Sequence, residues 1–368
     1  MMTQRQRSAK SVFDSVALGS ITSANRIMRS ATWEGMADDD GRVTDRLVEV
    51  YRKLGAGGVG TVVTSVSYVL PEGKGMPGMI SASDDADIPG LSRIADAIHA
   101  GGAKAFLQIA YCGTQSRIGV NERTWSPSGV AEPSTGSAGH EMSAVEIESL
   151  VRAFADAAGR AAAAGFDGVQ IHAAHGYLLS QFLSPLQNRR TDGYGGSPEN
   201  RGRVISEIVA LIKKENPGLV VIIKINGSDQ LDGGLTLRDC IGVCRMLDLS
   251  GIDGIEVSGG VVAAGAKAAI RGGIRTADDE GYFFDDASAI ADAVGVPVMS
   301  VGGYRSPDVM DGKLNGSNVA MFSMSRPFLA ESDLVNRWRS GDRAKAKCVS
   351  CSRCRTPEGT RCTVFGKS

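Results

Sequence analysis

The chain has 368 residues, 42% of them hydrophobic, with 40 lysine and arginine residues against 41 aspartate and glutamate residues. This near-zero formal charge gives no reason to expect nucleic acid or an anionic membrane as a partner. The length is large for one domain, although barrels of alternating strands and helices reach this size.

The chain begins with a polar and basic stretch, Met1 to Lys10, and no apolar segment follows it. A secretory signal would need such a segment, so we expect none here. The sequence also lacks a run of about 18 apolar residues, so no segment is expected to span a bilayer. These features predict a cytoplasmic protein.

Short runs rich in β-branched residues recur along the chain, each followed by glycine or polar residues and then by a helical pattern. The eight runs are residues 26–32, 59–66, 103–110, 168–172, 220–226, 254–258, 297–301 and 318–323. This alternation predicts an α/β fold in which a parallel eight-stranded sheet closes into a (β/α)8 TIM barrel. The alternative is a doubly wound open sheet, but no Gly-x-Gly-x-x-Gly follows the first strand.

Two helices carry clear start signals. The segment from Ser143 to Ala164 is rich in alanine, and Ser143 followed by Glu146 forms a capping-box pattern. A second helix is predicted to begin with Ser197 as its cap and Pro198 at its first position.

Two segments fall outside the alternation of strands and helices. Residues 111–142 are rich in glycine, serine and proline, which predicts a loop after the third strand that covers the mouth of the barrel. The last part of the chain is rich in cysteine. We therefore divide the chain into a barrel at residues 1–340 and a cysteine-rich tail at residues 341–368.

Polar residues stand at the ends of the predicted strands, where barrels of this kind place their active sites. They are rich in hydrogen-bond donors and include no group of carboxylates for a hard cation. They are Thr32, Gln108, Tyr111, His172, His175, Tyr177, Lys224, Ser258, Gly302, Gly303 and Arg326. His172, His175 and Tyr177 can bind a carbonyl oxygen and supply a proton, and Gln108 and Lys224 can hydrogen-bond a planar heterocycle.

The residues that follow the seventh and eighth strands suit a phosphate group. They are Gly302, Gly303, Ser325 and Arg326. Barrels commonly bind phosphate at this position, with backbone N–H groups and the start of a short helix.

The sequence HAAHGY at residues 172–177 is followed by FLSP at 182–185 and by NRRTDGYGGSPENR at 188–201. With further matches from Asn25 to Pro327, these motifs resemble the Old Yellow Enzyme family of FMN-dependent ene-reductases, which are (β/α)8 barrels. The resemblance implies FMN at the C-terminal mouth, NADH or NADPH as reductant, and an α,β-unsaturated carbonyl compound as substrate. Hydride would pass from flavin N5 to the β-carbon of the substrate.

The resemblance also implies roles for single residues. His172 and His175 would bind the substrate oxygen, and Tyr177 would deliver the proton. Lys224 stands where the family has an arginine near flavin N1 and O2, and Gln108 would bond the pyrimidine edge. The other flavin contacts would be Ala31 and Thr32 near the C4 carbonyl, Val66 beside the ring, and Gly302, Gly303, Ser325 and Arg326 at the phosphate.

The sequence departs from the family pattern at three places. After the third strand the family has Gln-Leu-x-His-x-Gly-Arg, whereas residues 108–114 read QIAYCGT. Lys224 replaces the arginine. In RSATWE at residues 29–34, either Thr32 or Trp33 takes the position that tunes the flavin potential. These departures concern the substrate and the flavin potential and leave FMN binding as the expectation.

Four cysteines crowd the end of the chain, at Cys348, Cys351, Cys354 and Cys362. Four thiolates are the ligand count for a [4Fe–4S] cluster or for zinc, and free thiols on a surface loop are the third alternative. The position and the first spacings resemble the trimethylamine dehydrogenase and 2,4-dienoyl-CoA reductase branch, where a [4Fe–4S] cluster passes electrons to FMN. The gap before Cys362 is shorter than in that branch. Three arginines, Arg353, Arg355 and Arg361, add positive charge.

Three functions follow from these observations. The favoured hypothesis is an FMN-dependent ene-reductase that uses NADH or NADPH. The second is an FMN barrel that receives electrons through a C-terminal [4Fe–4S] cluster or a partner protein. The third is a metal-dependent barrel hydrolase that uses His172 and His175. Family members are often dimers or tetramers, so a homo-oligomer is one expectation.

Overall fold

Eight parallel strands close into a barrel in the computed structural model, which describes residues 9–119 and 123–365. Each strand pairs with its neighbours along the chain, and the first strand pairs with both the second and the eighth. The strands are β1 (Ile27–Arg29), β2 (Thr61–Tyr68), β3 (Lys104–Ala110), β4 (Gly168–Ala173), β5 (Val220–Asn226), β6 (Gly254–Ser258), β7 (Val298–Val301) and β8 (Met321–Met324). The predicted (β/α)8 barrel is confirmed, and closure excludes the open-sheet alternative. Of the stretch Met1 to Lys10, residues 1–8 lie outside the described residues.

Helices surround the barrel and bury one face against it. They are α1 (Asp45–Ala56), α2 (Ile88–His99), α3 (Ala144–Ala163), α4 (Leu178–Leu183), α5 (Pro198–Glu215), α6 (Leu237–Leu249), α7 (Phe284–Ala291), α8 (Pro307–Asn315), α9 (Arg326–Ala330) and α10 (Leu334–Arg339). Both predicted start signals are confirmed. Ser143 and Glu146 form the capping box of α3, and the Ser197 side chain accepts from the N–H of Asn200 at the start of α5. None of the described helices is long and apolar enough to cross a membrane.

The N-terminal end of the barrel is filled by apolar side chains. A short antiparallel hairpin, Val16–Leu18 with Ile21–Ser23, lies beneath it. Leu18, Phe106 and Ile222 belong to the buried cluster there. A Cβ on Gly168 would come within 2.3 Å of the Phe106 ring, so glycine is required for this close packing. The filled lower end leaves the opposite end of the barrel for function.

The predicted loop at residues 111–142 contains little regular structure. Its described residues hold one 3-10 turn, Gly113–Gln115, and a pair of two-residue strands, Trp125–Ser126 and His140–Glu141. Tyr111 is buried and stacks on Trp125, with ring centroids 5.4 Å apart. Residues 120–122 of this loop lie outside the described part of the chain.

The cysteine-rich tail lies against the C-terminal end of the barrel. Its short hairpin, Arg355–Thr356 with Gly359–Thr360, is joined to the segment after β1 by the N–H of Thr360, which donates to the carbonyl of Glu34 at 2.7 Å. Upstream, the N–H of Ala346 donates to the carbonyl of Arg305 at 2.8 Å. The tail therefore forms part of the surface around the barrel mouth.

Candidate active site

A cavity of about 490 Å³ opens at the C-terminal end of the barrel. Every residue predicted for the substrate or the flavin lines it, with the exception of Gly302. Those lining it are Ala31, Thr32, Val66, Gln108, His172, His175, Tyr177, Lys224, Gly303, Ser325 and Arg326. They come from seven of the eight strands and the segments after them, which is why no short stretch of sequence contains the whole site.

His172 is buried at the end of β4 and is held in one tautomer. Its Nδ1 accepts the backbone N–H of Ala174 at 3.2 Å, which leaves the proton on Nε2. Burial and the neighbouring His175 and Lys224 hold the pKa of His172 well below its usual range. The ring is therefore neutral near pH 7 and offers an N–H donor.

His175 lies in a left-handed backbone conformation with φ of 62°, which turns the chain after β4. Its backbone N–H donates to Asn226 Oδ1 at 3.2 Å, and its Nε2 lies 2.8 Å from Ser258 Oγ. Burial, with the charge of Lys224, lowers the pKa of His175 to about 3. With Nε2 engaged by Ser258, the other ring nitrogen is left for a ligand.

Tyr177 stands next to both histidines. Its ring contacts the His172 ring edge-on, with centroids 4.7 Å apart, and the rings of His172 and His175 are 5.2 Å apart. Burial raises the pKa of Tyr177 above its ordinary value, although Arg117 and Arg355 act in the opposite direction. The phenol therefore keeps its proton and can donate it.

A buried network continues from these residues into the barrel. Lys224 Nζ donates to Ser30 Oγ at 2.7 Å and lies 3.3 Å from Glu256 Oε1, and Ser30 Oγ donates to the same carboxylate at 2.7 Å. Gln170 Nε2 donates to Glu256 Oε2, and Gln108 Nε2 donates to Gln170 Oε1, each at 2.8 Å. Because the Gln108 amide nitrogen donates within this network, the Gln108 amide oxygen is available as an acceptor.

Sequence reasoning missed Glu256, the fully buried carboxylate at the centre of this network. The signal was present, since Glu256 is a charged residue inside an otherwise apolar strand. In the parallel register of β5 and β6 it lies directly opposite Lys224. Neighbours in register on one face of a sheet interact, so the observed register of the two strands accounts for this pairing.

The predicted phosphate contacts gather at the ends of β7 and β8. Gly303 lines the cavity, whereas Gly302 lies behind the wall and its carbonyl accepts the N–H groups of Gly281 and Tyr282. Gly303 has a φ of 79°, and a Cβ at this position would lie 2.8 Å from the Tyr282 ring. Nearby, Ser323 Oγ is buried, lines the cavity and has no partner among the described residues. Such an atom calls for a ligand or a water.

Thr32 and Trp33 both line the cavity but face different neighbours. Thr32 Oγ1 lies 2.6 Å from Ser325 Oγ at the phosphate end. Trp33 and Tyr177 both pack against a buried cluster that contains Met76 and Val66, and Trp33 Nε1 donates to a backbone carbonyl at 3.0 Å. Thr32 therefore contacts a predicted phosphate residue, whereas Trp33 shares its cluster with Tyr177 and with the predicted flavin contact Val66.

Tyr111 and Cys112, which replace the usual family residues after β3, do not line the cavity. The Tyr111 hydroxyl donates to the Arg123 carbonyl and accepts the N–H of Trp125. Cys112 is buried, and burial raises its pKa to about 12. A thiol in this state is unreactive.

The four tail cysteines line a second, smaller cavity beside the first. The two cavities share Arg326, Ser352 and Cys354. Ser350 and Ser352, which flank Cys351, have left-handed φ angles of 52° and 57°. Within the described chain, no three His, Cys, Asp or Glu side chains are arranged to hold a single metal ion.

The cavity wall is strongly cationic. Among the described residues that line it there are five positive side chains and no carboxylate. The five are Arg117, Lys224, Arg305, Arg326 and Arg355. A site with this charge favours ligands that carry negative charge.

Comparison with known proteins gives one family match. The sequence profile described as NADH:flavin oxidoreductase / NADH oxidase matches residues 11–345. A protein named NADH oxidase from Thermoanaerobacter brockii is 31% identical over 346 residues, which are 93% of this chain and 52% of that protein. The chain thus spans about half the length of that relative.

Two further proteins are similar. One named NADPH dehydrogenase, from Bacillus subtilis, is 34% identical over 69% of this chain and 75% of its own length. A solved structure of a 2-naphthoyl-CoA reductase in complex with 2-naphthoyl-CoA superposes with a TM-score of 0.86 at 28% identity. That superposition covers 94% of this chain and 54% of the other.

Proposed function

Because the chain belongs to the NADH:flavin oxidoreductase / NADH oxidase family, whose cofactor is FMN, we propose that it reduces the activated C=C bond of an α,β-unsaturated carbonyl compound with NADH or NADPH. One observation carries the proposal. His172 and His175, two neutral imidazoles, face a protonated Tyr177 in the same cavity as the predicted flavin contacts.

The residues present fit FMN. Gln108 offers an amide oxygen and Lys224 a cation, which suit the polar edge of a flavin. Ser325 and Arg326 suit the phosphate, and the unpartnered hydroxyl of Ser323 gives a further contact. FMN supplies hydride transfer between the nicotinamide and the substrate when it is bound. The protein provides binding, orientation and charge around it.

The two histidines would hold the substrate oxygen. The Nε2–H of His172 is fixed by the bond that Ala174 makes to Nδ1, and His175 is fixed by Ser258. Donors held in advance stabilise negative charge as it develops on an oxygen, because they need no reorganisation during the reaction. Hydrogen bonds to the carbonyl oxygen also draw electron density away from the conjugated alkene, which makes its β-carbon electrophilic.

Tyr177 would protonate the α-carbon. Its raised pKa keeps the phenol protonated across the physiological range. Its ring lies against His172, beside the oxygen that the histidines would bind. A positioned acid of this kind typically accelerates a proton transfer by about 10² to 10⁴.

Anaerobic half-reactions test the proposal. The purified chain loaded with FMN is mixed with NADH or NADPH, and bleaching of the flavin absorbance is followed. The reduced protein is then mixed with 2-cyclohexenone. Reoxidation with formation of cyclohexanone is the expected result. Failure of the protein to retain added FMN, or a reduced flavin that the enone does not reoxidise, would contradict it.

We also propose that the tail cysteines bind a [4Fe–4S] cluster, which would make the tail an entry point for electrons from a partner protein. The arrangement of Cys348, Cys351, Cys354 and Cys362 around one small cavity supports this. In a [4Fe–4S] cluster each of the four thiolates binds a different iron atom, whereas in a zinc site all four thiolates bind the same ion. Because Cys354 also lines the main cavity, a cluster bound to it would lie close to the flavin.

Iron and acid-labile sulfide analysis after anaerobic purification tests the cluster. Four iron atoms per chain are expected, together with a visible absorbance that Cys351→Ser abolishes. Cys240→Ser is the matched control, since Cys240 is a buried cysteine of α6 outside both cavities. A protein without iron and sulfide would contradict the cluster and leave the ene-reductase proposal standing.

The hydrolase hypothesis has less support. The Nδ1 of His172 is occupied by a backbone N–H, and among the described residues no third ligating side chain completes a single-metal site with the two histidines. The structure therefore favours substrate binding as the role of His172 and His175.

A further inference from the structure

We propose that Arg117 and Arg355 form an anion-binding subsite at the mouth of the cavity, so that the preferred substrates are activated alkenes that carry a carboxylate or phosphate group. This rests on the proposed function, because it names the substrate class of the same site. Neither arginine is among the residues that the family motifs cover.

The two arginines come from segments far apart in sequence. Arg117 follows the 3-10 turn of the loop after β3, and Arg355 opens the hairpin of the cysteine-rich tail. Both line the cavity, and both act electrostatically on Tyr177. Burial and then the charge of Arg117 lower the pKa of Arg355, as expected for two like charges that line one cavity. The fold therefore brings two like charges together beside the proposed proton donor.

No protein group neutralises this pair in the described structure. Neither guanidinium forms an ion pair there, and no described carboxylate lines the cavity. The other three cations of the wall differ. Lys224 forms an ion pair with the buried carboxylate of Glu256. Arg305 donates to two backbone carbonyls, and Arg326 lies at the predicted phosphate end. Within the described part of the chain, Arg117 and Arg355 are therefore the two cavity cations whose guanidinium groups form neither an ion pair nor a hydrogen bond.

The tail holds Arg355 in position. Its guanidinium carbon lies 5.7 Å from the centroid of the Trp33 ring, a cation–π contact. Trp33 is itself fixed through its bond to the Pro77 carbonyl. An arginine held in advance loses little freedom when it binds, and its planar fork matches a carboxylate or phosphate. An anion between the two groups would also relieve their repulsion.

Two ligands of this system carry such an anion, the oxidising substrate and the phosphates of the nicotinamide nucleotide. We assign the subsite to the substrate, because both arginines line the cavity that contains Tyr177, whose proposed role begins only when the alkene is bound. The binding experiment therefore measures both ligands.

The test uses the full chain loaded with FMN at low ionic strength. The probes are a cyclohexenone that bears a butanoate chain, its phosphate-ester analogue and its uncharged methyl ester, and the concentration dependence of FMN reduction compares NADPH with NADH. Dissociation constants come from changes in the absorbance of the oxidised flavin, so the measurement does not need turnover. The variants are Arg117→Gln, Arg355→Gln, the double variant and Arg355→Lys. Arg361→Gln is the matched control, because it removes a tail charge that pairs with Glu358 outside the cavity.

We expect the native protein to bind either anionic probe at least about tenfold more tightly than the ester, as charge-assisted hydrogen bonds suggest. The double variant should lose this preference while its affinity for the ester is unchanged. Arg355→Lys should keep part of the preference, Arg361→Gln should keep all of it, and salt should reduce it.

Equal affinity for acid and ester in the native protein, or a preference that survives in the double variant, would overturn the subsite. If the double variant lost affinity only for NADPH relative to NADH, the subsite would also be overturned, since the arginines would then bind the nucleotide. The two proposals fail separately. Reduction of the ester without preference for the anions removes only the subsite, whereas tight binding of the anions without reduction removes only the ene-reductase function.

Discussion

The ammonium group of Lys224 lies 3.3 Å from the carboxylate of Glu256, and their side chains are 6% and 0% exposed. Ser30 bridges the two, accepting from the ammonium and donating to the carboxylate. The pair lies below the predicted polar edge of the flavin, where a positive charge stabilises the reduced cofactor. Glu256 therefore offsets part of the charge that Lys224 brings to this site.

Replacement of Glu256 by glutamine should raise the midpoint potential of bound FMN. Glutamine has nearly the same size as glutamate but lacks its negative charge, so reduced FMN experiences more of the Lys224 charge. We expect a rise of at least about 30 mV, which corresponds to about 1.4 kcal/mol for two electrons. Anaerobic titration against a reference dye measures it. Glu132→Gln, at a buried carboxylate of the long loop, should leave the potential unchanged. A lower potential in Glu256→Gln would contradict the assignment.

Tyr177→Phe should separate the two half-reactions. Reduction of FMN by NADH should proceed at the native rate, because the phenol has no role in it. Reoxidation by 2-cyclohexenone should slow by at least roughly 10², as expected when a general acid is removed. Stopped-flow absorbance measures both steps. Tyr194→Phe, whose hydroxyl bonds to Glu207 outside the cavity, is the control. A native rate of reoxidation in Tyr177→Phe would remove this residue from the mechanism.

The buried histidines should make the fold sensitive to mild acid. The usual imidazole pKa is about 6.5, and in the folded state that of His175 is about 3. Below pH 6.5 the unfolded chain therefore binds a proton at this histidine that the folded chain does not bind. The free energy of unfolding should fall between pH 6.5 and 3, by up to about 1.4 kcal/mol per pH unit for each such histidine.

Urea unfolding between pH 7.5 and 4.5 measures this effect. His175→Gln should show a smaller loss of stability than the native protein over the same interval. His140→Gln should behave like the native protein, because His140 is exposed. Equal losses in His175→Gln and the native protein would show that His175 does not contribute.

Gly359→Ala should detach the tail hairpin. A Cβ on Gly359 would approach the Glu34 carbonyl oxygen to 2.5 Å at a φ of 113°. Gly341 has a similar φ of 104° but open space around its Cα, so Gly341→Ala carries the backbone strain without the clash. Limited trypsin digestion should cleave Gly359→Ala at Arg355 and Arg361 faster than Gly341→Ala. Equal cleavage would contradict the tight contact between hairpin and barrel.

The strands and the main catalytic candidates were accessible from local sequence. Most barrel strands are buried runs that include β-branched residues, although β8 contains none, and β5 and β6 begin and end where the pattern predicted. His172 lies near the end of β4, and His175 and Tyr177 follow it within five residues, so their proximity is a local property of the chain. Roles for the flavin contacts came from the family resemblance and stay predictions.

Long-range contacts were decided only in the folded chain. The pairing of Lys224 with Glu256 depends on the register of two strands, and no local pattern fixes a register. Arg117 and Arg355 meet although they are separated by more than half of the chain, because a loop and the tail fold over the same mouth. Sequence by itself determined the barrel and the residues that follow β4. The tertiary structure decided which charges surround them, because charges act through space and not along the chain.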